Sequence, residues 1–155
     1  MAHKKKSPQV ADWLQDRVLI GAKEKVFFPD LGLHVKAKVD TGARTSSLHA
    51  ECIETFEHQD RRWVRFVTCE GDYPSEAAPS LELPVYDFRE VRSSNGEVSQ
   101  RYVVRLWIEL GPVRQKIEVT LADRSRMKYP MLLGRKALEE HFLVAPGSSY
   151  LLNPS

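Results

Sequence analysis

Val35-Lys-Ala-Lys-Val-Asp-Thr-Gly-Ala-Arg-Thr-Ser-Ser-Leu-His49 is the stretch on which the fold of this chain turns. Its first half alternates strictly, with Val35, Ala37 and Val39 on one face and Lys36 and Lys38 on the other, which predicts a half-buried strand. The alternation stops at Asp40-Thr41-Gly42, a carboxylate, a hydroxyl and a residue without a side chain. Gly42 permits a turn that a β-carbon would obstruct, and Thr41 can hold it through a local hydrogen bond. Ser46, Leu48 and Ala50 predict a second strand leaving the turn, drawn over Ser47 to Glu54. A carboxylate at the tip of such a strand–turn–strand unit is held more rigidly than one on a free loop, as general acid/base chemistry requires. By itself, Asp-Thr-Gly is equally the composition of a plain β-turn with a solvated Asp40.

A second segment, Tyr129-Pro-Met-Leu-Leu-Gly-Arg-Lys-Ala-Leu138, changes that balance. An apolar run ending in Gly-Arg and passing into a short helix, downstream of hydrophobic-Asp-Thr-Gly-Ala, resembles the retropepsin-like aspartic peptidases. More narrowly, the chain resembles the family labelled ATP-dependent zinc proteases, which often accompanies an ATP-grasp ligase that adds glutamates to a ribosomal protein. The carrying residues are Lys36 to Ala50, Ser94-Asn-Gly96, Arg101-Tyr-Val-Val104, Met131-Leu-Leu-Gly-Arg135, Phe142-Leu-Val144 and Ser149-Tyr-Leu151. The resemblance runs from about Ile20 to Leu152. It implies an all-β fold, a closed retropepsin-like β-barrel with one short C-terminal helix.

The resemblance also implies a site. Aspartic peptidases use two carboxylates around one water; held close together, the two share a proton and titrate as a pair. The ionised member takes a proton from water while the protonated member polarises the scissile carbonyl. This chain has one Asp-Thr-Gly, and Asp123 in Ala-Asp-Arg-Ser lacks the Thr-Gly that would shape an equivalent turn. A working dyad therefore takes Asp40 from each of two chains across a two-fold axis, so a homodimer is a condition of the mechanism. Asp40, Thr41 and Gly42 would form the catalytic loop, with Thr41 tying the two loops together and Ala43 lining the floor. Leu132-Leu133-Gly134 would pass beside it, Gly134 allowing close backbone approach. The Asn95-Gly96 hairpin would be the flap over substrate, its plain alternative an ordinary surface hairpin. Viral retropepsins usually follow Asp-Thr-Gly-Ala with an acidic residue that accepts from the Arg of Gly-Arg. Arg44 stands there instead, so Arg135 is expected to find another carboxylate, near Asp40 or at Glu139. Two guanidiniums by the loop would favour an acidic peptide, such as a glutamate-extended tail. Arg44 salt-bridging a neighbouring strand is the plain alternative.

The 155 residues suit one domain with a real core. Residues 1–19 read as a basic, flexible leader with a short helix from Gln9 to Val18 ended by Gly21, and residues 20–155 as the domain. No apolar run reaches membrane-span length and no secretory segment opens the chain. Two cysteines, Cys52 and Cys69, predict reduced thiols, small core side chains and a cytoplasmic location. From Arg89 to Lys136 there are 11 basic and 5 acidic residues, a net +6, against −4 over the rest of a chain of net +2. That stretch is either a solvated basic surface or a face for an acidic partner. Basic runs with interleaved aromatics are absent, so nucleic-acid binding is a minor option.

Further strands are predicted at Val26–Phe28, Trp63–Val67, Val85–Val91, Val98–Leu110, Ile117–Leu121 and Met131–Leu133. Turns are placed at Gly71–Pro74, at Ser93-Ser-Asn-Gly96 with both Asn95 and Gly96 accepting positive φ, at Gly111-Pro112 and at Asp123–Arg126, with a loop over Asp72–Pro84 and a helix over Arg135–His141. His49, Cys52, Cys69 and His141 could in principle converge on a metal, but a strand over 47–54 would point His49 and Cys52 to opposite faces. No His-Glu-x-x-His, Cys-x-x-Cys or phosphate-binding Gly-rich loop occurs, and Ser46 and Ser47 near His49 do not make a triad, so no cofactor is expected. The leading expectation is a homodimeric aspartic peptidase. The alternatives are a non-catalytic partner of the glutamate ligase and, more weakly, a metal-dependent hydrolase.

Overall fold

A computed structural model of the chain describes residues 9–69, 80–92 and 95–152. A helix α1 (Val10–Gln15) is followed by strands β1 (Val18–Gly21), β2 (Lys23–Phe28), β3 (Leu33–Val39), β4 (Ser46–His49), β5 (Glu51–His58) and β6 (Arg61–Val67). Then come β7 (Ser80–Pro84), β8 (Asp87–Arg92), β9 (Val98–Leu110), β10 (Val113–Ala122), β11 (Met131–Leu133), α2 (Arg135–Leu138) and β12 (Phe142–Ala145).

The alternation at Val35, Ala37 and Val39 is realised in β3, whose Leu33, Val35, Ala37 and Val39 are buried while His34 and Lys38 face solvent. Strand β9 behaves likewise: Val104, Leu106, Ile108 and Leu110 are buried, Arg105 and Trp107 exposed. Val103, on the outward face, is nevertheless fully buried. In β10, Ile117, Val119 and Leu121 point inward. The main sheet runs β10-β4-β11-β3-β2-β9-β8, and β10 also pairs with β9. That extra pairing closes six strands into a barrel, removing the open edges a flat sheet would expose. Burying one large aliphatic side chain stabilises by about 1.5–3 kcal/mol, so these inward rows are the main favourable term. The fold is thus the all-β closed barrel that the resemblance implied, with one short helix near the C-terminus.

A three-stranded sheet, β5-β6-β7, stands outside the barrel yet joins its core through Val64 and Phe66. The parallel pair β1–β12 joins the two ends of the chain. Both ends are further tied by Glu24, a fully buried carboxylate. It accepts from the backbone N–H groups of Gly21 at 2.8 Å, Leu151 at 2.9 Å and Leu152 at 3.3 Å.

Several expectations are corrected. The leader helix spans only Val10–Gln15, because Val18 starts β1 and pairs with Phe142; Gly21 closes that strand rather than the helix. The strand expected over 47–54 is two strands in different sheets, broken at Ala50, with a register shift and Cys52 at φ 55° just beyond. Cys69 is buried as expected, but Cys52 is exposed. Part of the expected loop over 72–84 is strand: Ser80–Pro84 pairs with β6. The C-terminal helix is a single turn ending at Leu138, since Phe142 is already committed to β12. The leader residues 1–8, the turn at 71–74 and Ser93-Ser94 lie outside the described residues. No helix among the described residues is long and apolar enough to cross a membrane.

Candidate active site

Strand β11 lies between β3, to which it is parallel, and β4, to which it is antiparallel. The segment from Asp40 to Thr45 must therefore arch over the end of β11 to connect β3 to β4. This placement presses two backbones together: a β-carbon on Gly134 would lie 2.7 Å from the Thr45 carbonyl carbon. Only glycine fits such an approach, the role the resemblance gave to Gly134.

Bonds from every side fix the arch. The Asp40 N–H donates to the Leu133 carbonyl at 3.0 Å, and the Arg135 N–H to the Ala43 carbonyl at 2.7 Å. The Lys136 N–H donates to the Arg44 carbonyl at 3.1 Å. Within the turn, the Gly42 N–H donates to Asp40 Oδ1 at 2.9 Å, and the Ala43 N–H to the Asp40 carbonyl at 3.3 Å. One carboxylate oxygen is thereby oriented by its own turn. Asp40 is half-buried, Thr41 and Gly42 are exposed, and Ala43 is half-buried. The arrangement offers an oriented carboxylate at the rim of a rigid barrel, accessible from outside.

Arg135 does not find the carboxylate expected for it. Its Nη1 donates to the Thr41 carbonyl at 3.1 Å, so the guanidinium braces the loop through the backbone. Arg44 is exposed, and among the described residues its guanidinium makes no ion pair. Sequence reasoning missed Ser46, whose buried Oγ accepts the Gly134 N–H at 3.0 Å. A small hydroxyl on the inward row of a strand, beside Leu48, was the available signal.

Beyond the barrel, β8 and β9 continue as a two-stranded hairpin from Asp87↔Val103 to Arg92↔Val98. Phe88 and Tyr102 pack at 4.6 Å between ring centroids on one face of it. At its tip Gly96 has the expected positive φ, 85°, and the Asn95 side chain accepts the Glu97 N–H at 3.1 Å.

A family model described as the retropepsin-like aspartic endopeptidase RimB matches residues 19–155. The chain belongs to the RimB-like family. Two curated relatives are described as probable alpha-L-glutamate ligases. The one from Shewanella halifaxensis (strain HAW-EB4) is 41% identical over 138 residues. The one from Parasynechococcus marenigrum (strain WH8102) is 39% identical over 137. Each alignment takes in 88% of this chain but only 30% and 29% of the respective relative, so the chain spans about a third of their length or less. A crystal structure of a Legionella pneumophila protein of unknown function superposes with a TM-score of 0.71 at 32% identity. That match covers 86% of this chain and 97% of the other.

A zinc site in this RimB-like chain would need three converging ligands, and the described residues do not aim three at one point. His49, Cys52, Cys69 and His141 do not gather into a metal set among the described residues; what gathers around His49 is Glu51 and Asp123, with candidate ligand atoms within 4.8 Å of one another. The two carboxylates, however, approach different nitrogens of the ring. Nε2 lies 3.1 Å from Glu51, and Nδ1 lies 3.7 Å from Asp123 while accepting the Arg124 N–H at 2.9 Å. Ring nitrogens point apart, so one ion at about 2.0 Å from either would lose one carboxylate. The buried His49 reads as a structural link between β4 and the turn after β10. Asp123 is held in that turn by the Ser125 side chain and N–H, which push its pKa down.

Proposed function

We propose that this RimB-like chain is a homodimeric aspartic peptidase in which Asp40 of each protomer supplies one carboxylate of a shared dyad. One carboxylate activates water and its protonated twin polarises the scissile carbonyl. The observation that carries this reading is the Asp40 turn itself. It is accessible, self-oriented through the Gly42 N–H, and pinned over β11 by Leu133, Arg135 and the Gly134–Thr45 contact. A plain solvated turn would not need such bracing. Thr41 would link the two loops across the two-fold axis, Ala43 would line the floor, and the hairpin carrying Asn95 and Gly96 would close over the peptide as the flap.

The proposed substrate is an acidic polypeptide, such as a glutamate-extended tail. Arg44 supports this, as an exposed guanidinium at the rim with no ion pair among the described residues, and Arg135 adds a second positive charge beside it. The test pairs a mass measurement in solution with Asp40→Asn. The proposal expects a dimer and loss of peptide hydrolysis by at least about a thousandfold, because the one substitution removes both carboxylates of the dyad. A strict monomer, or hydrolysis that survives Asp40→Asn, would sink it.

One observation favours a second reading. The curated relatives carry a domain like this one within chains described as probable alpha-L-glutamate ligases and about three times as long. A domain that travels with a ligase suits docking to one in trans. A binding module would keep its affinity for such a partner in Asp40→Asn.

A further inference from the structure

Beside the Asp40 arch, between β4, β10 and α2, lies a cleft of about 180 Å³ lined by Thr45, Ser46, Lys116, Ile117, Glu118 and Lys136. It shares its walls with the candidate active site. Thr45 is the last residue of the arch, and the Lys136 N–H donates to the Arg44 carbonyl at 3.1 Å. The outer wall is braced as well, since Gln115 Nε2 donates to the Ala137 carbonyl at 2.6 Å and so fixes α2 against β10.

The charges of this cleft are unbalanced. Its one acid, Glu118, is already engaged: its carboxylate accepts from both terminal nitrogens of Arg89, at 2.9 and 3.4 Å. The Arg89 hydrogen bonds hold the Glu118 pKa down, with further help from Lys136 and Arg105. Lys116 on β10 and Lys136 on α2 remain as two exposed lysines among the lining residues, neither in an ion pair among the described residues. An ammonium is a compact, strongly hydrated point charge that suits a carboxylate without demanding one fixed approach. At about 180 Å³ the cleft is smaller than the roughly 300–1,000 Å³ of small-molecule sites, a size for one side chain rather than a folded element. Lys116, Glu118 and Lys136 all belong to the Arg89–Lys136 stretch of net +6.

We propose that this cleft is a carboxylate-binding subsite, in which Lys116 and Lys136 take an acidic side chain of an extended polypeptide whose neighbouring residues lie at Asp40. Its role in cleavage rests on the peptidase reading above; the binding itself does not.

The test measures binding, so that the two ideas fail separately. Asp40→Asn protein is titrated into a fluorescein-labelled oligoglutamate peptide, its glutamine-matched control and an RNA oligonucleotide of equal length, followed by fluorescence anisotropy. The subsite predicts that the glutamate peptide binds and the glutamine peptide does not. Adding Lys116→Glu and Lys136→Glu together should weaken binding at least tenfold with an unchanged circular-dichroism spectrum. If the reversed pair does not fold, Lys116→Gln, which removes one charge without adding an acid, should still weaken binding severalfold. Lysine-dependent binding by a parent chain that cuts no peptide would support the subsite while sinking the peptidase. Cleavage with lysine-independent affinity would overturn the subsite and leave the peptidase standing. Equal binding of the glutamine peptide, or tighter lysine-dependent binding of RNA, would also overturn it.

Discussion

The Arg135 guanidinium donates to the Thr41 carbonyl at 3.1 Å, so the residue after Gly134 braces the residue after Asp40. This long-range bond, added to the Arg135 N–H donating to Ala43, couples α2 to the candidate catalytic turn.

Arg135→Ala should cost about 1 kcal/mol of stability, the ordinary worth of one partly solvated hydrogen bond. Hydrolysis should fall by more than stability does, because Asp40 loses positional restraint. Urea unfolding and a peptide assay on the same preparations check the split; parallel small losses in both would count against the bracing role.

Gly134→Ala drives a β-carbon to within 2.7 Å of the Thr45 carbonyl carbon, on backbone that cannot swing aside. A loss of about 3 kcal/mol is expected, at the upper end of overpacking effects. Gly147, where a β-carbon would meet nothing within 4 Å, is the control, and Gly147→Ala should be nearly neutral. Equal midpoints for the two variants in urea would refute the close approach.

Glu24→Ala leaves the buried N–H of Gly21 and the part-buried N–H groups of Leu151 and Leu152 without their acceptor. At about 1–3 kcal/mol per unsatisfied group, a loss of at least about 3 kcal/mol is expected. The C-terminal strand pair should loosen first. Hydrogen exchange at Leu151 and Leu152 reports this directly, and unchanged protection there would dismiss the role assigned to Glu24.

The Arg89–Glu118 pair gives a pH dependence of definite sign. The native Glu118 pKa lies below its ordinary value because Arg89 hydrogen-bonds the carboxylate. In acid the unfolded chain therefore binds a proton that the native state resists. The contribution is complete above the unfolded value of about 4.3 and is lost as pH falls through the lowered native one. For this partly exposed pair it should be about 0.5–1 kcal/mol. Glu118→Gln should thus be less stable than the parent at pH 7, with a gap that closes below about pH 4. A gap that persists unchanged into acid would contradict the pairing.

Asp40, its turn and the strands flanking it were legible in the linear chain. Val35, Ala37 and Val39 repeat every second residue, and that period fixes which side chains are buried wherever the strand goes. Rows such as Val104 to Leu110 and Ile117 to Leu121 carry the same local signal, and Gly111 with φ 57° turns between them. Local patterning was less reliable where pairing decides. Phe142 ended the C-terminal helix early by pairing with Val18, and positive φ at Cys52 accompanied the division of one expected strand into two.

The sequence by itself determined the period of each strand, the single Asp-Thr-Gly turn and the crowding of positive charge between Arg89 and Lys136. Only the tertiary structure decided that β11 threads between β3 and β4 beneath that turn. It also decided that Arg135 reaches a carbonyl rather than a carboxylate, that Glu24 ties the chain ends, and that Lys116 and Lys136 line one cleft. The physical reason is range. Side-chain alternation reports the environment of each residue along its own strand, whereas partners far apart in the chain are chosen by register and barrel closure, which no local period encodes.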